Sequence, residues 1–128
     1  MRLQILVRQF NDVTILDLTG KATIDESEGE LLSKRVHALT DNGKRKLLVN
    51  LTNLTQVDST GISALVESYL YLQRQDGELK LLNPRGRVLE VLALFHLLDV
   101  IPSFADEGQA LASFQPRSYA ATLQKLNS

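Results

Sequence analysis

The chain predicts an α/β domain: a mixed, mostly parallel sheet opened by an antiparallel N-terminal hairpin, with about four helices packed on it. Three observations carry this reading. Two strand-patterned segments open the chain, joined by the turn residues Asn11-Asp12. A short continuous apolar run, Leu47-Leu48-Val49, has the character of a strand covered on both faces. From residue 29 onward, segments of helical period alternate with short apolar strands. Strand–helix–strand–helix–strand order requires parallel strands joined by crossovers, which are almost always right-handed.

Each element has its own signal. Leu3, Ile5 and Val7 alternate with Arg2, Gln4 and Arg8, the period of a half-buried strand. Val13, Ile15, Leu16 and Leu18 make its hairpin partner. Gly20 to Glu28 is polar and reads as a loop entering a helix. From Gly29, residues Leu31, Leu32, Val36 and Leu39 fall at helical spacing, and Asn42-Gly43 ends that helix. Lys44-Arg45-Lys46 reads as a solvated approach to the apolar strand. Ile62, Leu65, Val66, Tyr69 and Leu70 then form an apolar helical stripe, closed by Asp76-Gly77. Tyr71, on the other side of that helix, is expected to be exposed.

Leu79, Leu81 and Leu82 make the next strand, stopped by Asn83-Pro84. Val88 to Leu98 is helical, with Val88, Val91, Leu92 and Phe95 on one side. Pro84-Arg85-Gly86-Arg87, ahead of it, reads as a polar turn. Val100-Ile101 is a short final strand. Asp106 to Phe114 is a last helix, ended by Pro116. The domain is placed at residues 1–116. The tail 117–128 is a frayed end or a short amphipathic helix, and its removal is expected to cost little stability.

Composition narrows the function classes. The chain has 128 residues, 44% hydrophobic, enough for one domain with a core. Fourteen basic and 15 acidic residues give a net charge of −1, without the basic footprint of a nucleic-acid binder. There is no cysteine, so disulfides and thiolate chemistry are excluded. No apolar run approaches the roughly 20 residues of a membrane span, and no signal-peptide pattern opens the chain. A soluble, cytoplasmic protein without membrane insertion is expected. His37 and His96 show no metal-ligand spacing and read as structural or surface residues. No Gly-rich phosphate loop follows the first strand, so neither metal nor cofactor is expected.

The residues with chemistry to offer lie at Asp58-Ser59-Thr60-Gly61-Ile62, where the central strand turns into the second helix. A helix N-terminus offers free N–H groups and about half a unit of positive charge, and it tolerates an added phosphate. Ser59 has two readings. It caps the helix, as serine, threonine and aspartate do, or Asp58 caps while Ser59 points outward. Gly61, in the first helical turn, costs roughly 1 kcal/mol relative to alanine. It marks either a tight packing contact or clearance for a partner.

In this order and spacing, the motifs resemble the STAS domain, and within it the single-domain anti-sigma factor antagonists of bacteria. The resemblance runs from about Leu3 to Phe114. Asp58-Ser59-Thr60-Gly61-Ile62 is similar to the family's Asp-Ser-Ser/Thr-Gly-Leu/Ile turn. Gly77-Glu78-Leu79-Lys80-Leu81-Leu82-Asn83 is similar to its Gly-Gly-x-Leu-x-Leu-x-Asn strand. Val88 to Leu98, with Phe104 and Asp106-Glu107, is similar to its closing segment.

The resemblance implies a regulatory binding protein, not an enzyme. Unphosphorylated antagonist captures an anti-sigma factor with a histidine-kinase-like ATPase fold. That partner phosphorylates the antagonist and then releases it, and a PP2C-type phosphatase resets it. Carried over, Ser59 is the phosphate acceptor. Asp58 is the flanking acid, and Thr60 and Gly61 complete the turn. Independently of the resemblance, the core stripe of Ile62, Leu65, Val66 and Tyr69 leaves Ser63 and Glu67 beside Ser59 on the outer side, where a partner is expected to bind. Many members carry an aspartate soon after the glycine that ends strand two; here Thr23 holds that place, with Asp25 two residues later. The family's Asp-Leu at the end of the central strand is Asn50-Leu51. A different STAS role is the alternative: a scaffold subunit of a stress-signalling complex or of a lipid-transport ABC system.

Overall fold

The chain opens with a hairpin, β1 (Gln4–Phe10) paired antiparallel to β2 (Val13–Ala22). Its turn is only Asn11-Asp12, with Asn11 at φ 53°, a conformation asparagine tolerates better than most residues. Three further strands follow: β3 (Lys46–Val57), β4 (Glu78–Leu82) and β5 (Ser103–Phe104). They extend the sheet in parallel, in the order β1-β2-β3-β4-β5. The described helices are α1 (Gly29–Asp41), α2 (Ser59–Arg74), α3 (Gly86–Leu94) and α4 (Glu107–Ala112). This computed structural model describes residues 2–23 and 29–114. Asp25 and the tail 117–128 lie outside the described residues.

The two sheet faces are covered unequally. On one, Leu16 and Leu18 of β2, Leu47, Val49 and Leu51 of β3, and Leu79 and Leu81 of β4 belong to one core. Leu32 and Val36 of α1, Leu65 and Leu72 of α2, and Val88 and Leu92 of α3 complete it. On the other, a smaller core gathers Val13, Ile15, Leu48 and Leu82 with Ala110 and Phe114. Leu47, Leu48 and Val49 are all fully buried because the faces they alternate between are both covered. Each such side chain contributes about 1.5–3 kcal/mol of transfer free energy.

Several boundaries differ from the sequence reading. β3 continues far past Val49, because Leu51, Leu54 and Val57 keep a buried side. β2 runs through the predicted loop start to Ala22, with register shifts against β3 at Asp17/Thr19 and Gly20/Lys21. The predicted helix from Val88 to Leu98 stops at Leu94. His96 turns left-handed (φ 58°), and a 3-10 turn, Leu97–Asp99, follows. That break exposes Phe95 and puts Leu97 in the core instead. The last strand is Ser103–Phe104, not Val100-Ile101. Ile101 is buried as a core anchor without strand pairing.

Charge placement also departs from expectation. Lys46 is buried, with its ammonium on Asp12, so the basic run before β3 is not a fully solvated approach. Lys80 is likewise buried. Its ammonium bonds Ser113 and lies 4.6 Å from the Phe114 ring centroid, tying the end of α4 to β4. Leu70, placed in the core stripe by its spacing, is 43% exposed.

Candidate functional site

β3 ends at Val57 and the chain turns directly into α2. Asp58 is the N-cap, extended at φ −122° and ψ −168°. Its carboxylate accepts the amide N–H of Thr60 at 2.9 Å and that of Gly61 at 3.4 Å. The Asp58 amide donates to Ala22 O across the β2–β3 join. Capping is therefore supplied by Asp58, and Ser59 stands exposed on the first turn. Of its two readings, the geometry matches the second.

Gly61 is buried. A Cβ there would lie 2.4 Å from Val57 Cγ2 and 2.5 Å from Ala22 O. The glycine lets α2 start hard against the ends of β2 and β3, so close packing explains it. Ala22 and Val57 are register partners, and Thr23 and Asp58 are the residues that follow each. Thr23 therefore lies at the same end of the sheet, but it is only 5% exposed and offers little surface.

Beside Ser59, a 350 Å³ cleft opens between α1 and α2. Glu30 and Ser33 line one side; Thr60, Ser63, Ala64 and Glu67 line the other. Ser63 is exposed and Glu67 half-buried. The structure thus gathers Asp58, Ser59, Thr60, Gly61, Ser63 and Glu67 on the first turns of one helix. Glu30 and Ser33 were missed by sequence reasoning. They come from a helix with no motif of its own, and only the packing of α1 on α2 brings them here.

Below the cleft the two helices are tied together. His37 Nε2 lies 2.6 Å from Glu67 Oε1, and the imidazole stacks on the Tyr71 ring with centroids 3.7 Å apart. The Tyr71 hydroxyl donates to Asp41 at 2.6 Å, a bond that raises the phenol pKa. Tyr71, expected to be exposed, is partly covered and engaged within the domain.

A second polar network crosses the sheet face under α4. Arg8 bonds Asp17 and Glu107. Asn50 donates to Asp17 at 2.7 Å and accepts from the Thr52 amide and hydroxyl. Asparagine serves both roles, whereas an aspartate at position 50 would set a second carboxylate against Asp17. That explains the departure from Asp-Leu at the end of the family's central strand. Among the described residues, no group of three or more His, Asp or Glu is placed to hold a metal ion.

Comparison with known proteins agrees with this architecture. The family model of the STAS domain matches residues 4–110. High affinity sulfate transporter 2 of Stylosanthes hamata is 32% identical over 77 residues, 58% of this chain. The chain spans only 12% of that transporter's length. BtrV of Bordetella bronchiseptica, a candidate anti-sigma factor antagonist, is 24% identical over 74% of this chain and 82% of its own.

Among solved structures, a candidate anti-sigma factor antagonist of Thermotoga maritima superimposes with a TM-score of 0.78 at 21% identity. The match covers 84% of this chain and 92% of that one. The Bacillus cell-fate determinant SpoIIAA in its phosphorylated form superimposes with a TM-score of 0.65 at 18% identity, over 85% and 97% of the two chains. At these identities the superpositions establish a shared fold.

Proposed function

This chain belongs to the STAS domain family, and from that premise we propose that it is an anti-sigma factor antagonist switched by phosphorylation of Ser59. The observation that carries the reading is the division of labour at the α2 start. Asp58 makes the cap, which leaves the Ser59 hydroxyl exposed beside an open cleft. The unmodified surface captures an anti-sigma factor with a histidine-kinase-like ATPase fold, which then phosphorylates Ser59. A PP2C-type phosphatase reverses the modification. The role is regulatory binding in the cytoplasm rather than catalysis. No helix among the described residues is long and apolar enough to cross a membrane.

The switch is electrostatic. Phosphorylation adds about −1.5 to −2 charges. The helix amides and dipole tolerate the phosphate within the free domain. The residues lining the adjacent cleft include Glu30 and Glu67 and no cation, so they do not neutralise it. Against a partner fitted to a neutral hydroxyl, the added charge brings repulsion and a desolvation cost. A coupling of about 1–3 kcal/mol changes affinity about 5- to 150-fold. Asp58, Thr60, Ser63 and Glu67 form the rest of the contact surface, and Gly61 sets its position from beneath; the family resemblance adds Asp25 to the partner contacts, while the buried Thr23 offers little surface.

The test is peptide mapping by mass spectrometry of the chain isolated from its source cells, with affinity capture by Ser59 and Ser59→Asp forms. The expected result is one phosphate on Ser59, and an ATPase-fold protein captured by the Ser59 form and lost with Ser59→Asp. An unmodified Ser59 together with equal capture by both forms overturns the switch. The similarity to sulfate transporters then favours a second reading, a STAS module serving as a scaffold subunit of a larger assembly.

A further inference from the structure

We propose that His37 makes the charge of the cleft beside Ser59 follow pH: protonation of its imidazole neutralises Glu67 on the cleft wall and so favours a negative charge at Ser59. The inference takes its role from the Ser59 switch and adds a second input, a proton, to the same site.

The pair stands where α1 and α2 meet. His37 Nε2 lies 2.6 Å from Glu67 Oε1. An ionised carboxylate only accepts hydrogen bonds, so Nε2 carries the hydrogen and Nδ1 is the nitrogen left to take up a proton. The Tyr71 ring stacks on the imidazole with centroids 3.7 Å apart and planes 14° apart, and the Tyr71 hydroxyl donates to Asp41. These contacts fix the ring. Its side chain is still 36% exposed, open to exchange of protons with water. Glu67 Oε2 is buried without a hydrogen-bond partner among the described residues. Within that set, His37 is the group that compensates the Glu67 charge.

Glu30 and Glu67 line the cleft and no cation does. While His37 is neutral, both carboxylates charge the walls. Once His37 is protonated, its pair with Glu67 is neutral and Glu30 alone remains. Histidine is the side chain that changes charge between about pH 5 and 8, where a carboxylate ordinarily stays ionised. The other charged or titratable groups around the ring are Tyr71 from α2, Lys34 and Asp41 from α1, and Arg45, whose charge reaches the Tyr71 hydroxyl. Lys34 and Arg45 oppose protonation and Asp41 favours it. Glu67, in direct contact, outweighs them.

Ser59 lies eight residues before Glu67 on the same helix, roughly 12 Å along its axis. Charges at that separation are screened at about 0.15 M ionic strength, where the Debye length is about 8 Å. They couple at about 0.01 M, where it is about 30 Å. The coupling is reciprocal. A negative charge at position 59 tightens proton binding at His37 by the factor with which protonated His37 favours that charge. Through His37, acid therefore favours the phosphorylated, released form.

The chain has two histidines, and His96, 81% exposed beyond the end of α3, is an internal control. NMR titration of the two imidazoles reads both. Glu67→Gln keeps the shape of the side chain and removes its charge. It is expected to weaken proton binding at His37 about tenfold and to leave His96 unchanged. Ser59→Asp is expected to tighten proton binding at His37 roughly two- to fivefold at about 10 mM ionic strength, and less than about twofold at 0.15 M. Backbone amide spectra check that both variants keep the fold. A His37 titration midpoint unmoved by Glu67→Gln overturns the pair. A midpoint unmoved by Ser59→Asp at the lower ionic strength overturns its coupling to the site. Neither measurement requires Ser59 to be modified in the cell, which peptide mapping decides, so the two readings fail separately.

Discussion

Asp58 accepts the amide N–H of Thr60 at 2.9 Å, and this bond assigns the cap of α2 to the residue before Ser59. Two neighbouring polar side chains thereby take different tasks, one holding the helix start and the other facing solvent. Asp58→Ala is expected to lower stability by about 1 kcal/mol, the usual cost of a lost N-cap. Asp58→Asn is expected to retain most of that contribution, and Ser59→Ala to stay within about 0.5 kcal/mol of the parent, as exposed sites do. Urea unfolding of the three variants checks the assignment; a larger loss from Ser59→Ala than from Asp58→Ala would reverse it.

Gly61 gives a prediction whose sign separates local propensity from packing. Helix propensity alone makes Gly61→Ala stabilising by about 1 kcal/mol. The approaches an added Cβ would make, 2.4 Å to Val57 Cγ2 and 2.5 Å to Ala22 O, make it destabilising. Overpacking of this kind costs about 1–3 kcal/mol, and here a backbone carbonyl is one of the atoms that must move. A lower urea midpoint for Gly61→Ala is expected, and a higher one would mean that the helix start has slack.

Much of this was legible in the chain because its signals are local. The Asp58-to-Ile62 turn, the Leu47–Val49 run and the α2 stripe each depend on neighbours within a few residues. What was missed depends on distant partners. Leu70 has core spacing, yet it is 43% exposed. Lys46 looks solvated until the hairpin brings Asp12 to it. Phe95 and Leu97 exchange roles because a left-handed residue at His96 ends α3 early. Likewise, the cleft needs Glu30 and Ser33 from α1, and no spacing within α2 announces them.

The Asp17 network sets an acid-side pH dependence. Burial pushes the Asp17 carboxyl up, but hydrogen bonds from Arg8 and Asn50 outweigh it and hold the group below the usual carboxylate range. Asp12 is also held low, chiefly by its bond from Lys46. A carboxyl depressed in the folded state favours folding above its unfolded pKa of about 3.9. That contribution is lost as pH falls through the folded value. Stability is therefore expected to drop as pH falls below about 4, and Asp17→Asn is expected to flatten the drop while lowering stability at pH 7. Urea titrations across that range measure both effects, and an unchanged acid slope in Asp17→Asn would remove Asp17 from the account.

Ser63 tests the proposed contact surface. It is exposed one turn beyond Ser59 and lines the cleft between α1 and α2. An arginine there meets Glu30 and Glu67 on the cleft walls, so Ser63→Arg is expected to fold normally, with stability within about 0.5 kcal/mol of the parent. It also fills the space a partner would use, so binding to the captured ATPase-fold protein is expected to weaken. The new cation lies beside the site of modification, so Ser59→Asp is expected to cost less affinity in the Ser63→Arg background than alone. Sites one helical turn apart are close enough for such non-additivity. Titration calorimetry of the two single variants and the double variant reads all of these. Full-strength binding by Ser63→Arg, with an unchanged melting temperature, would move the interface off the cleft and onto another face of the domain.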